Sequence, residues 1–200
     1  AIGLGFNVVM FADEKLTASD LKHRVRETVL MARGRAAVEG ELAALLGVAE
    51  GLDSGPASIP LTDPDEAARF VAHTGVDSLA VSLGQVHLHG RTRLRLDLDR
   101  LTAIRERVEV PLVLHGATSV DDDSMRAGVQ LGLRKINVGS ALRQAFFEGV
   151  KNKIMQIGDD YNPYEVLGSG RDSDLMLAGK VALKSVVAEK IRLFGSAGKE

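Results

Sequence analysis

The chain has 200 residues, 45% apolar and 26% charged, with a formal net charge of −2, which predicts a soluble globular protein with one domain over residues 1–200. The absence of cysteine excludes disulfides and thiolate chemistry, so a metal ion would have to be bound by His, Asp or Glu. The sequence has no basic block, no apolar run long enough for a membrane span and no visible signal peptide, so we expect a cytoplasmic enzyme with neither nucleic-acid nor membrane partners.

The first third of the chain predicts two strands, a helix and a long loop. Residues 6–11 are a short apolar run after a glycine-containing turn, which is typical of a buried strand. Thr17, with Asp20 three positions later, fits the start of a helix, and a second strand is predicted over residues 36–41. Residues 42–62 lack clean periodicity and are rich in Gly, Ser and Pro, which indicates a long loop.

The rest of the chain predicts alternating helices and strands. Asp63 followed by Pro64 begins a helix that ends at Gly75. Three further strands are predicted over residues 77–83, 111–115 and 135–138, and further helices from Leu98, from about Asp121 to Gln130, after Ser140 as a cap, and from Ser173 to Leu193. This alternation indicates an α/β fold with a parallel sheet covered by helices. Five strands cannot close an eight-stranded (β/α)8 TIM barrel, but they could be its last five.

Two histidines end predicted strands that lie one βα unit apart. His87 closes the strand region that begins at Ser78, and His115 closes Val110–His115. The spacing can place both imidazoles at the same end of adjacent parallel strands, where α/β barrels build their active sites. Such a pair suggests a divalent metal, with zinc favoured, and catalytic zinc would need a third ligand from elsewhere. His89 competes with His87 for this role, and ordinary packing or capping is the alternative for each.

Three acidic residues are candidates for the same site. Glu39 and Glu41 alternate with Val38 and Gly40, so both face one side of their strand. In a barrel that side could be the lumen, where an acid needs a metal, a cation or a hydrogen bond. Glu50 lies in the long loop and could reach a substrate on closure. The alternative is that these acids are solvated.

Two small-residue segments follow strand ends and are candidates for binding an anion. They are Gly116-Ala117-Thr118-Ser119 and Asn137-Val138-Gly139-Ser140. Small residues expose backbone N–H groups, a helix N-terminus favours anions, and the loops after the last two strands of a barrel often bind phosphate. Ordinary βα turns also use Gly, Ser and Thr, so this alternative stays open.

Seven blocks of the sequence, in order, resemble the class II, metal-dependent ketose-bisphosphate aldolases of the fructose- and tagatose-bisphosphate types. The resemblance covers essentially the whole chain. The blocks are Gly5-Phe-Asn-Val-Val-Met-Phe11, Val38-Glu-Gly-Glu-Leu42, Thr74-Gly-Val-Asp-Ser-Leu-Ala-Val81, Gly84-Gln-Val-His87, Val110-Pro-Leu-Val-Leu-His-Gly-Ala117, Lys135-Ile-Asn-Val-Gly139 and Leu193-Phe-Gly-Ser-Ala-Gly198.

The resemblance implies a (β/α)8 TIM barrel whose last five strands this chain supplies, in a protein that forms dimers or tetramers at full length. It implies a lyase of carbohydrate metabolism and glycolysis that cleaves a ketose 1,6-bisphosphate to dihydroxyacetone phosphate and glyceraldehyde 3-phosphate. One zinc ion per subunit would polarise the ketone and stabilise the enediolate, with a monovalent cation as a further option.

The resemblance also implies residue roles. His87 and His115 match two metal ligands, and Glu41 resembles the strand-end acid near an alternative metal position. Asn137 resembles the residue that hydrogen-bonds the enediolate, and Glu50 lies near the position of the loop acid that moves a proton on the triose phosphate. The phosphate cradle would be formed by Gly116, Thr118, Gly139 and Ser140.

The chain departs from the family pattern at several points. The family's first metal His and its catalytic Asp come just before the segment where this chain begins, so we expect the 200-residue chain alone to be inactive. Ala12, Leu88 and Ala141 also replace residues that are common in the family. Two alternatives therefore stay open: an aldolase for another phosphorylated keto substrate, and a non-catalytic phosphosugar-binding protein.

Overall fold

The computed structural model describes residues 1–13, 15–42, 60–86 and 93–199. The chain divides into two compact units, Ala1–Asn137 and Val138–Glu200. The single domain expected over residues 1–200 stays a prediction.

The first unit contains the parallel five-stranded sheet that the sequence predicts. Its strands follow the order β1-β2-β3-β4-β5, each hydrogen-bonded to the next along the chain. The α/β fold is therefore confirmed. Four predicted strands are present in shorter form, and the fifth, predicted over residues 135–138, lies two residues earlier. The strands are β1 Val8–Met10, β2 Ala37–Glu41, β3 Ser78–Ala80, β4 Leu112–Leu114 and β5 Leu133–Ile136.

Four α-helices of the first unit begin at side-chain caps that the sequence encodes. Thr17 accepts a hydrogen bond from the Asp20 N–H, and Asp63 accepts one from the Glu66 N–H. These caps satisfy backbone N–H groups that would otherwise lack a partner, which is why the predicted starts were confirmed. The helices are α1 Ala18–Ala32, α2 Pro64–Thr74, α3 Leu98–Arg105 and α4 Asp122–Gln130, with 3₁₀ turns at Ile2–Leu4 and Ala117–Ser119.

One face of the sheet is apolar and closely packed, and we call it the outer face. Leu79 and Leu112 lie opposite each other in the register, and both are fully buried. Gly40 lies opposite Leu79, and a Cβ atom at Gly40 would come within 2.6 Å of the Phe70 ring of α2. Only glycine allows so close an approach, so this packing fixes Glu39 and Glu41 on the opposite, inner face.

The register between β4 and β5 contains an irregularity. Leu112 lies opposite Leu133, but the next residue, Val113, lies opposite Lys135. Arg134 is therefore skipped in the pairing. A bulge of this kind changes which side chain is aimed at a given face, and here it places Lys135 level with Val113.

The second unit contains helices α5 Ser140–Ile154, α6 Pro163–Val166 and α7 Leu175–Leu193. Helices α5 and α7 approach closely at two glycines: a Cβ atom at Gly149 would lie 2.8 Å from the Ala178 carbonyl oxygen. The prediction that Ser140 caps α5 is wrong, because Ser140 is already the first helical residue and Gly139 occupies the N-cap position without a side-chain hydrogen bond. Among the described helices of both units, none is long and apolar enough to cross a membrane.

Candidate metal centre

Four charged side chains meet on the inner face of the sheet, and we call them the inner cluster: Glu39, Glu41, His115 and Lys135. His115 Nε2 lies 2.7 Å from Glu39 Oε1, and His115 Nδ1 lies 3.2 Å from Glu41 Oε1. Lys135 Nζ lies 2.7 Å from Glu39 Oε2. One buried carboxylate thus links a histidine and a lysine, while a second carboxylate contacts the other ring nitrogen.

The strand register explains why these residues meet. Glu41 lies opposite Ala80, Ala80 opposite Val113, and Val113 opposite Lys135, so the four positions form one row on the inner face. His115 follows β4 two positions after Val113, which continues the same face beyond the strand end. The inner cluster therefore extends from the sheet to its C-terminal edge, where parallel α/β folds place functional groups.

Glu39 is almost completely buried, with 3% of its surface exposed. Burial acts to raise the pKa of this carboxyl, but hydrogen bonds from His115 and Lys135 outweigh it and hold the pKa of Glu39 below its ordinary value. Glu39 is therefore an ionised carboxylate, and its two oxygens are held by two different cationic groups.

His115 is also buried, and its pKa is raised where that of Glu39 is lowered. Hydrogen bonds to Glu39, and then to Glu41, raise the pKa of His115 from 6.5 to about 9 against the effect of burial. At neutral pH and without a metal the ring is an imidazolium that donates one hydrogen bond from each nitrogen. The directions of the shifts on His115 and Glu39 agree, because each charged group stabilises the other.

The side chains of the inner cluster include donor atoms of the types that zinc binds. Within residues 1–13, 15–42, 60–86 and 93–199, no group of three or more His, Asp or Glu side chains is arranged as a ready metal cage. The donors nevertheless fit, because zinc binds imidazole nitrogen and carboxylate oxygen, and Nδ1 of His115 faces Glu41. Glu39 is in the position of the carboxylate that commonly accepts a hydrogen bond from the second nitrogen of a metal-binding histidine.

The other predicted site residues fall into four groups. Gly116 adopts a left-handed backbone with φ of 65° directly after His115, and Thr118 lies in the following 3₁₀ turn, where its carbonyl oxygen accepts a hydrogen bond from Arg93. The Asn137 N–H donates to the Leu114 carbonyl oxygen at 2.9 Å, which places its backbone beside the end of β4. Gly139 and Ser140 follow Val138, the first residue of the second unit. His87 and Glu50 lie outside the described residues.

The sequence prediction missed Lys135. It noted that an inward-facing acid such as Glu39 needs a cation, but it treated Lys135 only as part of a strand. The available signal was a lysine within a predicted buried strand, a position that apolar residues usually fill. The alternation of side chains alone could not identify its face, because the bulge at Arg134 shifts the register.

Comparison with known proteins finds a matching family and similar solved structures. The profile of the family described as fructose-bisphosphate aldolase class-II matches residues 1–199. The YdjI aldolase of Escherichia coli K12 shares 31% identity with the chain, with a TM-score of 0.74 over 96% of the chain and 62% of that protein.

Two further solved structures have the same fold. A putative fructose-1,6-biphosphate aldolase from Coccidioides immitis is 26% identical, with a TM-score of 0.74 over 100% of the chain and 67% of that protein. The fructose-bisphosphate aldolase of Campylobacter jejuni, at 17% identity, has a TM-score of 0.72 over 98% of the chain and 61% of that protein. The chain thus spans about three fifths to two thirds of the length of these proteins and forms part of a barrel.

Proposed function

The chain belongs to the class II fructose-bisphosphate aldolase family, and from this premise we propose that it carries the metal-binding face of an aldolase that acts on a ketose 1,6-bisphosphate. The proposed products are dihydroxyacetone phosphate and glyceraldehyde 3-phosphate. Because the chain covers 62% of the YdjI aldolase, this activity is proposed for the protein that contains the complete barrel.

The observation that carries the proposal is the environment of His115. A buried imidazole with a carboxylate on each nitrogen is in surroundings that favour positive charge. A divalent cation can supply that charge in place of the Nδ1 proton. Metal binding would therefore release a proton, and the affinity should rise with pH.

The proposed metal ligands are His115 and Glu41, together with His87, whose position stays a prediction. A zinc ion held by these residues would polarise the substrate ketone as a Lewis acid. The protein residues bind and orient the substrate around this point. Asn137 is proposed to donate a hydrogen bond from its side-chain amide to oxygen of the reacting carbon chain, where negative charge develops.

Phosphate binding is proposed for the small-residue segments. Gly116 and Thr118 follow His115 directly, so backbone N–H groups of their turn would hold a phosphate close to the metal ligand. Gly139 and Ser140 are at the N-terminus of α5, a 15-residue helix whose dipole favours an anion. Glu50 is proposed as the loop acid that moves a proton on the triose phosphate.

The test is metal-dependent cleavage of fructose 1,6-bisphosphate and tagatose 1,6-bisphosphate, measured as release of dihydroxyacetone phosphate. The assay uses the 200-residue chain and, where the gene encodes a longer product, that product. We expect cleavage by the longer product, loss of cleavage with a chelator, and recovery when zinc is added. Tight binding of both sugars without cleavage would instead favour a phosphosugar-binding protein, and chelator-resistant cleavage would contradict the metal site.

A further inference from the structure

We infer that Lys135 and Glu39 form a positioning pair that fixes the ring of His115 and determines which of the two neighbouring acids binds the metal. This inference rests on the proposed metal site, and it assigns a role to Lys135. In it, Glu39 stays a hydrogen-bond acceptor outside the metal's own ligands, while Glu41 and Nδ1 of His115 face the metal.

The geometry around His115 offers a metal two alternative positions, one on each ring nitrogen. His115 lies between two carboxylates, with Glu39 2.7 Å from Nε2 and Glu41 3.2 Å from Nδ1. Without any other contact, a metal could replace the proton on either nitrogen and take either acid as its partner. A site with two such alternatives would not hold the metal in one place relative to the substrate.

Lys135 removes this ambiguity. Its Nζ lies 2.7 Å from Glu39 Oε2, so Glu39 has one oxygen on lysine and the other on His115 Nε2. An ammonium group beside Glu39 also opposes the approach of a second cation to that carboxylate. Within the described residues, Glu41 contacts His115 but no lysine, so its charge remains available on the Nδ1 side.

Two structural features hold the pair in place. The skipped Arg134 places Lys135, instead of Arg134, level with Val113. The side chain of Glu39 is 3% exposed, so it cannot easily turn towards solvent, whereas that of Lys135 is 45% exposed. Glu39 is thus a fixed link, and a metal-binding histidine with its second nitrogen on such a carboxylate has a defined tautomer.

The experiment measures zinc affinity of the full 200-residue chain by competition with a chromogenic chelator. The variants are Lys135→Met, Lys135→Gln, which keeps a hydrogen-bond donor without the charge, Lys135→Arg, which keeps both, and Glu39→Gln. Lys22→Met is the matched control, because Lys22 also pairs with a glutamate, Glu66, at 3.7 Å on the surface. Circular dichroism and thermal unfolding check that each variant is folded.

We expect Glu39→Gln to weaken zinc binding about 10–100-fold, the usual effect of losing such a carboxylate. Lys135→Met should weaken binding about tenfold, and Lys135→Gln by less than that, because its amide can still donate to Glu39. Lys135→Arg should restore affinity close to that of the wild type, and Lys22→Met should leave it unchanged. A merely structural ion pair would change unfolding temperature without changing affinity.

The ring state of His115 is the second measurement, by ¹⁵N chemical shifts of the zinc-bound chain, assigned with His115→Ala. We expect zinc on Nδ1 and a proton on Nε2 in the wild type, and mixed or reversed coordination in Lys135→Met. If wild-type zinc binding is lost in His115→Ala but Lys135→Met matches Lys22→Met in affinity and ring state, the positioning role is wrong. If His115→Ala binds zinc as the wild type does, the proposed metal site itself is wrong.

Discussion

The two faces of the same sheet differ in chemistry: the outer face is apolar and the inner face is charged. On the outer face, Leu79 and Leu112 are fully buried and apolar. On the inner face, the buried Glu39 and His115 form a charged network with the more exposed Lys135. Because side chains alternate along a strand, β2 contributes Gly40 to the packed outer face and Glu39 and Glu41 to the inner cluster.

This difference shows how stability and function are separated within a few residues. Burial of apolar surface supplies the folding free energy on the outer face. A buried ion network contributes less net stability because the charged groups lose their hydration, so its presence on the inner face points to a function. Substitutions on the outer face should therefore change the free energy of unfolding at every pH, whereas substitutions on the inner face should change metal binding and the pH dependence of stability.

The largest effect is expected for His115→Ala. In the active form of the protein it should abolish metal-dependent cleavage of ketose bisphosphates, because it removes a proposed nitrogen ligand of the metal. The fold should remain, because Glu39 keeps its hydrogen bond with Lys135. The measurement is release of dihydroxyacetone phosphate, with the exposed His73→Ala as the matched control. Cleavage at the wild-type rate in His115→Ala would contradict the claim that the inner face carries the metal chemistry.

Leu112→Ala tests the outer face. Leu112 is fully buried, so this truncation should lower the free energy of unfolding by about 2–5 kcal/mol through lost burial and the cavity left behind. Denaturant unfolding measures the loss, and zinc titration below the transition tests the site. Folded Leu112→Ala should bind zinc as tightly as the wild type does. A large loss of affinity would show that the two faces are coupled.

In the chelator-treated chain, stability should depend on pH through His115 on the inner face and not through the apolar residues of the outer face. Because the pKa of His115 is raised from 6.5 to about 9 in the folded protein, its stabilisation is fully present below pH 6.5. This stabilisation is lost as pH rises through about 9. The His115 side chain is only 11% exposed, so solvent screens its charge little. Its contribution to the free energy of unfolding is therefore on the order of 3 kcal/mol. Denaturant unfolding at several pH values should show this loss in the wild type and in Leu112→Ala, but a flatter curve in His115→Gln.

Gly40→Ala tests the strand that serves both faces. The added methyl group would lie 2.6 Å from Phe70 Cε1 and 2.9 Å from Val76 Cγ1, so these side chains must shift. Overpacking of this kind should lower stability by about 1–3 kcal/mol. Thermal unfolding measures the change, and Gly3→Ala, with open space around its Cβ position, is the control. Equal stability of the two variants would show that Phe70 and Val76 can move aside for the added methyl group at no cost.

Much of the fold could be predicted from local sequence signals. The parallel strand order followed from the alternation of elements, and the starts of α1 and α2 followed from Thr17 and Asp63. These signals are local because a cap satisfies N–H groups within three residues of itself. Ser140 was assigned wrongly because Gly, Ser and Thr all occur near helix starts, and the sequence does not show which residue already has helical dihedral angles.

The candidate site was only partly predictable. His115 and the shared face of Glu39 and Glu41 followed from strand ends and alternation. The contact between Glu39 and Lys135 joins residues far apart in sequence, and it depends on the register shift at Arg134. Pairing of that kind is set by tertiary packing, so no local pattern could have predicted it. The predicted convergence of His87 with His115 lies outside the described residues and stays a prediction.

Zinc titration by isothermal calorimetry tests the central claim, that the inner cluster holds a divalent metal, most directly. The chain is titrated as wild type, as Glu41→Gln, as His115→Ala and as Glu109→Gln, a control at an exposed glutamate. We predict one zinc ion per wild-type chain, weaker binding in Glu41→Gln, loss of that binding in His115→Ala and no change in Glu109→Gln. Equal zinc binding by all four proteins, or no zinc binding by the folded wild type, would contradict the account.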